Sequence, residues 1–370
     1  MKRLECLDGL RGLLALYVLL THMVPFAALP AWVVWPLLHG EAAVDLFFVL
    51  SGMVIVRSLE HYNYRALPFL IARAARIFPV FLPVFALAVM VQPLAVDFAS
   101  MPWISANSAA QMTWSDGWPH SWILDLVAHL TMLHGVFPNA VLPNGWVSFL
   151  GSAWSLSTEW QFYALVALIG LRFGSGERGR WRLVLVLLSL ALVTLVWQHV
   201  TPPDWRFSRA FLPNKAMYFA LGVASAELLE DWHRWPRLLV VLCVVIALGL
   251  SQDNPLKALA PLGWVVCLAA QSVQGRSDGS WYGLRELGAL LRTSPLRWLG
   301  AISYSLYIVN EPIQKVLGVV LAHVAQGRSA MFTLLWVPAA LVIPLWVAWW
   351  LHSCIEVPAL HRGKLLAGAT

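Results

Sequence analysis

The spacing with the clearest chemical meaning joins an arginine and a histidine, Arg11 and His22, within one apolar stretch. Eleven residues at about 100° each complete about three helical turns, so the two side chains share a face about 16 Å apart along the axis. A histidine inside an apolar segment is a candidate general base. The pair therefore suggests a polar path, although Arg11 could also extend to lipid headgroups and His22 could be a simple helix contact.

Two carboxylates occur at depths comparable to that of His22 in other apolar stretches. Asp45 lies about two turns inside its stretch, where it could orient and charge an imidazole or cap a helix near the outer surface. Glu159 shares a helical face with Ser155 and Phe162 at i, i+4, i+7 spacing. That stretch is too polar for lipid, so we predict that it lines a cavity. His22 and Asp45 are therefore candidate catalytic residues.

Two further groups favour ligand binding. Arg73 and Arg76 are three residues apart in a loop that enters a helix from the cytoplasm, an arrangement that suits phosphate binding and also simple anchoring at the membrane surface. A later stretch places Tyr307 and Asn310 on one helical face. We predict a set of substrate-binding residues in these polar stretches: Ser155, Tyr304, Tyr307 and Asn310.

The composition explains which elements must position these residues. Of 370 residues, 59% are apolar and 12% charged, against about 25% charged in soluble domains, and mean hydropathy is +0.69. Eleven runs are candidates for crossing a bilayer: 8–29, 38–58, 76–92, 121–136, 152–172, 181–200, 211–229, 237–251, 256–274, 297–323 and 331–352. We predict one all-α membrane domain over residues 1–370. The four scattered cysteines predict neither a metal site nor a disulfide.

The distribution of basic residues decides how many runs cross. Cytoplasmic loops are enriched in Lys and Arg. If 121–136 does not cross, 19 of the 25 basic residues fall on the cytoplasmic side, counting Lys2 and Arg3, whereas residues 93–120 have none. The three ionisable residues of 121–136 would also be costly in lipid. We therefore predict a polytopic bundle of about ten transmembrane helices and one re-entrant or interfacial helix, with both termini cytoplasmic.

Five motifs, each weak alone, together resemble the membrane acyltransferase-3 family, which includes bacterial O-acetyltransferases of surface polysaccharides. They run in order from residue 7 to about residue 313, and the family's core has ten spans. The motifs are Leu7-Asp8-Gly9-Leu10-Arg11-Gly12 with His22, Val44-Asp45-Leu46-Phe47-Phe48-Val49-Leu50-Ser51-Gly52, Arg73-x-x-Arg76-Ile77-x-Pro79, Trp154-Ser155-Leu156-Ser157-x-Glu159 with Phe162-Tyr163, and Ser303-Tyr304-Ser305-Leu306-Tyr307.

The resemblance implies transfer of an acyl group, usually acetyl, from a cytoplasmic acyl-CoA to an acceptor hydroxyl. Arg11, Arg73 and Arg76 would contact the CoA phosphates. His22 would be the base or an acyl relay, with Glu159 and Asp45 in support.

One position departs from the pattern of the family. Many members carry a histidine where this chain has Asn310, and an amide cannot transfer protons near neutral pH.

These observations predict an O-acyltransferase in the cell inner (plasma) membrane. Its expected partners are the lipid bilayer, acetyl-CoA or another acyl-CoA as donor substrate, and, from the resemblance alone, a carbohydrate or glycolipid acceptor. No metal is expected, because the cysteines are scattered. No nucleic acid is expected, because membrane topology explains the sequence pI of 9.3.

The alternative is a proton-coupled transporter or flippase, since intramembrane His, Asp and Glu also suit a carrier. Transporters often have repeated halves, and none is found in this chain.

Overall fold

The computed structural model describes residues 5–105, 108–114, 117–173, 176–228, 232–252, 254–273 and 281–368. Three of the 19 basic residues assigned to the cytoplasmic side lie outside these ranges: Lys2, Arg3 and Arg276. About 80% of the structure is helical, and the described residues contain no strand. The prediction of an all-α fold is confirmed.

The described residues form thirteen helices of nine residues or more, which are numbered in chain order. They are α1 (Glu5–Met23), α2 (Gly40–His61), α3 (Ala66–Val91), α4 (Trp122–Leu130), α5 (Ala153–Phe173), α6 (Glu177–Val200), α7 (Leu212–Leu228), α8 (Trp235–Leu250), α9 (Leu259–Ser272), α10 (Tyr282–Leu291), α11 (Ser294–Ala325), α12 (Ser329–Leu351) and α13 (Val357–Leu366).

The described residues include six helical segments that are long and apolar enough to cross a membrane, so the chain is a multi-pass membrane protein. They are Glu5–Phe26, Ala31–His61, Ala66–Val91, Glu177–Val200, Ser294–Ala325 and Ser329–Leu366. The other four predicted spans correspond to α5, α7, α8 and α9, which are shorter or more polar. Nearly every residue of α7 is buried, so this helix lies in the middle of the bundle.

The segment 121–136 contains one short helix, α4, followed by a 3-10 turn at His134–Val136. Nine residues rise about 13 Å, less than half of the roughly 30 Å hydrocarbon core. Asp125 and His129 are buried in protein, and Ile123 is exposed. Burial raises the pKa of Asp125 to about 6 and lowers the pKa of His129 to about 4, because it disfavours both charged forms.

One boundary differs from the sequence interpretation. The predicted loop between Arg65 and Arg76 is helical from Ala66 onward. The predicted span begins at residue 76 because a run of apolar residues is interrupted by the charged side chains that precede it. In the structure these arginines occupy a continuous helix whose charged face lines a cavity, so the helix does not need to be apolar there.

Glycines let pairs of helices meet backbone to backbone. A Cβ added at Gly12 would overlap the carbonyl oxygen of Leu296 in α11, and one added at Gly52 would overlap that of Phe219 in α7. Small residues are typical of close helix contacts in membranes. These contacts fix α1 against α11 and α2 against α7, and thereby position the polar residues that those helices carry.

Candidate functional site

A cavity of about 640 Å³ opens among α1, α2, α3, α5, α11 and α13. Its volume is within the usual range for ligand pockets, about 300–1,000 Å³. Seven of the ten site residues expected from the sequence line it: Arg11, Arg73, Arg76, Ser155, Glu159, Tyr304 and Tyr307. His22, Asp45 and Asn310 do not line it.

The cavity wall is strongly cationic. Sequence reasoning missed Arg57 and Lys364 as site residues, and with the three expected arginines they give five cationic side chains against the two carboxylates Asp8 and Glu159. The Arg73 Nη2 donates to Ser58 Oγ at 2.9 Å, which anchors this guanidinium to α2. A partly enclosed cavity with a net positive charge suits an anionic ligand.

Glu159 organises the polar groups on one side of this cavity. Ser51 Oγ donates to its Oε1 at 2.6 Å, and the Tyr163 hydroxyl donates to the same oxygen. Nearby, Ser155 Oγ donates to the Tyr307 hydroxyl at 2.8 Å. These bonds join α2, α5 and α11 around the cavity, as the polar face of α5 predicted.

His22, at the opposite end of α1 from Arg11, contacts Asn310 instead of a carboxylate. Its Nδ1 lies 2.7 Å from the Asn310 Oδ1. The Asn310 Nδ2 donates to the carbonyl oxygens of Leu306 and Tyr307, at 3.0 and 2.7 Å, so the amide orientation is set by two acceptors. An oxygen therefore faces His22 and requires Nδ1 to carry the proton. In the neutral imidazole, Nε2 is then the basic nitrogen.

Asp45 has a different partner from the one expected. Its Oδ1 accepts from the Lys215 Nζ at 2.6 Å, and both side chains are almost fully buried. Glu41 joins the same cluster, accepting from Lys215 at 2.7 Å and from Lys257 at 2.5 Å, with Arg209 at 3.4 Å. We call these five residues the Asp45 ion cluster. Its members join the ends of α2 and α7 to the segments that precede α7 and α9.

One feature of the sequence does indicate a buried ion pair at this position. Lys215 stands alone in an apolar run, and a buried lysine requires a carboxylate partner. Because Asp45 and Lys215 are 170 residues apart, the sequence does not say which carboxylate it is.

A family model described as an acyltransferase domain matches residues 4–353. The chain belongs to this acyltransferase family. The prediction of that family from five motifs is confirmed, and the transporter alternative is not favoured. No solved structure matches the chain.

Two curated relatives illustrate the family. The peptidoglycan O-acetyltransferase OatA of Listeria monocytogenes is 26% identical over 342 residues, covering 84% of this chain and 49% of OatA. A protein of Komagataeibacter xylinus, provisionally named the membrane-bound transacylase BcsY, is 26% identical over 340 residues, covering 86% of this chain and 73% of BcsY. The chain thus spans about half the length of OatA.

Among the described residues, no group of three or more His, Cys, Asp or Glu side chains could hold a metal ion.

Proposed function

We propose that this protein is a membrane O-acyltransferase that moves an acyl group, most simply acetyl, from a cytoplasmic acyl-CoA to a hydroxyl of a carbohydrate or glycolipid. The cationic cavity is the observation that carries the proposal. Acyl-CoA is rich in phosphate, and arginine binds phosphate through paired hydrogen bonds. Arg11, Arg73 and Arg76 would bind these phosphates, while Glu159 and Ser155 would face the acyl end of the donor.

We place the donor on the cytoplasmic side. This placement rests on a single domain, residues 1–370, that crosses the cell inner membrane ten times with both termini in the cytoplasm. Arg57 and Lys364, near the ends of α2 and α13, line the cavity. Positive residues favour the cytoplasmic side, and acyl-CoA would enter from there.

His22 is the proposed general base. Its Nε2 would remove the proton from the acceptor hydroxyl, and the oxygen would attack the thioester carbonyl carbon. The C–S bond would then break, and the CoA thiolate would leave and take up the proton. His22 lies outside the cavity wall, so either the acceptor and donor meet between Tyr307 and His22, or the protein is acylated in an intermediate step.

Asp45 is better assigned to stability than to catalysis. A carboxylate that already shares a buried lysine with Glu41 has its charge neutralised, so it has little capacity to support an imidazole elsewhere. We propose that Asp45 holds α2 and α7 together.

The carbohydrate acceptor is supported by the name of OatA, a peptidoglycan O-acetyltransferase. The tryptophans of segment 93–151 do not decide the acceptor. Trp114 is fully buried and stacks on Phe26, so it serves packing. Trp118 and Trp122 are exposed and are free to contact a sugar or the membrane interface.

The proposal is tested by donor binding and acceptor modification in the same preparation. The purified full chain should bind acetyl-CoA, and Arg73→Gln and Arg76→Gln should each weaken binding by about tenfold or more, since each loses a charge-assisted phosphate contact. His22→Ala should bind donor normally but abolish acetylation of surface glycans, read by mass spectrometry of cells carrying each variant.

Arg237→Gln is the matched control. Arg237 is exposed, pairs with Glu177 at 2.5 Å and does not line the cavity. Donor binding equal in all three arginine variants, or full glycan acetylation by His22→Ala, would refute the proposed function.

A further inference from the structure

A short π-helical segment, His352–Glu356, joins α12 to α13. The Val357 N–H donates to the carbonyl oxygen of His352, five residues earlier. Pro358 has no N–H to offer the carbonyl of Cys354, so a regular α-helical turn cannot close there. Single π turns of this kind occur often at functional sites, and this one ends on a buried carboxylate, Glu356.

The Glu356 carboxylate is held by one oxygen and presents the other. Its Oε2 accepts from Ser305 Oγ at 2.8 Å and lies 2.9 Å from His352 Nδ1. Its Oε1 lies 3.9 Å from the Arg76 Nη1. Because two partners fix the carboxylate, its position is determined before any ligand arrives, and it supplies a fixed negative charge beside Arg76.

That charge acts on a crowded group of cations. The guanidinium groups of Arg11 and Arg76 repel each other, and Glu356 and Glu159 attract both. Glu356 is 2% exposed and does not itself line the cavity, whereas Arg76 does. Removal of the Glu356 charge would leave the repulsion between Arg11 and Arg76 less balanced and would weaken the restraint on the Arg76 guanidinium. The carboxylate therefore acts through Arg76.

The helix that follows is braced against the same element. Gly363 in α13 packs directly on Ala75 in α3, where an added Cβ would overlap the Ala75 side chain. Ala75 stands next to Arg76 in sequence. The π segment and α13 thus contact α3 at the turn that carries the arginines, which couples the position of Glu356 to that of Arg76.

We propose that Glu356 is a positioning residue for the acyl donor: it holds the Arg76 guanidinium in the cavity, oriented to receive a phosphate. The inference rests on the proposed function, since the phosphate is that of acyl-CoA. Glu356 lies three residues beyond the residues that the family model matches, 4–353.

The test uses the full chain in lipid nanodiscs, titrated with CoA and acetyl-CoA, with steady-state kinetics for the donor. Glu356→Gln should raise the donor Kd and KM about tenfold and change kcat less than about threefold. Glu356→Asp should recover part of the affinity. Arg76→Gln and the double variant Arg76→Gln/Glu356→Gln should bind donor about equally weakly, because Arg76 is the cavity cation that the carboxylate contacts.

Two further variants separate positioning from folding. Glu227→Gln removes a carboxylate of equal burial that pairs with Arg180 and Arg234 away from the cavity, and should leave donor affinity unchanged. Ser305→Ala keeps the Glu356 charge but loosens it, and should raise the donor Kd by about threefold. This variant reports on the inference even if Glu356→Gln folds poorly.

The outcomes distinguish this inference from the proposed function. Donor affinity unchanged in Glu356→Gln and Ser305→Ala, a loss confined to kcat, or additive losses in the double variant would overturn the role of Glu356 alone. A wild-type chain that binds neither CoA nor acetyl-CoA would instead overturn the proposed donor, and this inference with it.

Discussion

At the scale of single residues, the partner of the His22 ring determines which nitrogen can act as a base. The Asn310 oxygen accepts from Nδ1, and the amide itself is held by two backbone carbonyls of its own helix. An asparagine that cannot transfer protons can still fix a tautomer. This gives a positive role to the position at which the sequence departs from the family pattern.

Replacing Asn310 with leucine should therefore slow catalysis without affecting donor binding. Asn310→Leu removes the acceptor for Nδ1–H, so the imidazole loses its preferred tautomer and orientation. General base catalysis contributes about 10²–10⁴-fold. A misoriented imidazole keeps part of that contribution, so we expect kcat to fall by about 10–100-fold. Acetyl-CoA titration and turnover assays on the same preparation measure both quantities.

The matched control is Gln314→Leu, one turn further along α11. Gln314 is equally buried, and its Nε2 donates to the carbonyl oxygens of Leu19 and Ala340. Its loss should reduce stability and leave kcat near the wild-type value. Equal kcat in Asn310→Leu and wild type would contradict the tautomer argument.

The sequence predicts which residues of one helix share a face and line the cavity. It does not predict which residues of different helices contact each other. The face shared by Ser155 and Glu159 follows from helical periodicity, and both residues line the cavity. The contact of His22 with Asn310 joins residues 288 positions apart. Nothing in the sequence chooses between Asn310 and Asp45 as its partner, because that choice depends on how α1, α2 and α11 pack.

At the scale of helices, the glycines within the recognised motifs have a packing role. Gly52 directly follows Ser51, which bonds to Glu159, and it meets the α7 backbone at Phe219. Gly222 of α7 makes the reciprocal contact with Val49. A motif glycine beside a functional residue therefore sets the distance at which the two helices approach.

Gly52→Ala should destabilise the protein. Alanine is favoured over glycine in a helix by about 1 kcal/mol, but overlap with a backbone carbonyl costs about 1–3 kcal/mol because neither helix can move freely. We expect the clash to exceed the gain and the thermal unfolding midpoint in detergent to fall.

Gly263→Ala provides the comparison for this prediction. At Gly263 the added Cβ would lie 4.0 Å from Leu46 Cδ2, an ordinary van der Waals contact. Only the helical preference then applies, so the midpoint should stay the same or rise. Equal behaviour of the two variants would show that α2 and α7 are not in close contact.

At the scale of the whole molecule, two groups of ion pairs lie at opposite ends of α2. The Asp45 ion cluster, with Glu41, lies at one end. At the other end, Glu60 accepts from Arg180 at 2.9 Å, and Arg180 also reaches Glu227, 3.4 Å away. The 22 residues of α2 rise about 33 Å, close to the thickness of the hydrocarbon core.

This arrangement explains why the charge distribution is informative about topology. Arg180, at the start of α6, is one of the basic residues that fall on the cytoplasmic side only if residues 121–136 do not cross. It bonds to Glu60 at the end of α2 that carries the other basic residues, so both lie on one side of the membrane. The prediction from sequence used the number of basic residues in each loop and not their partners. The structure supplies the partners, and these ion pairs join the ends of α2, α6 and α7.

A topology reporter should give a single answer for this whole group. An enzymatic reporter inserted near residue 176 should be located in the cytoplasm, because Arg180 joins that region to the basic end of α2. A second insertion near residue 95, in the segment that lacks Lys and Arg, should report the opposite side and serves as the control. If both reporters were extracytoplasmic, the region of Arg180 and the end of α2 at Glu60 would lie on opposite sides and could not form the ion pair between these two residues. If the reporter near residue 176 were extracytoplasmic and the one near residue 95 cytoplasmic, the whole arrangement would be inverted. That result would reverse the side from which the cationic cavity opens, and with it the cytoplasmic origin of the donor.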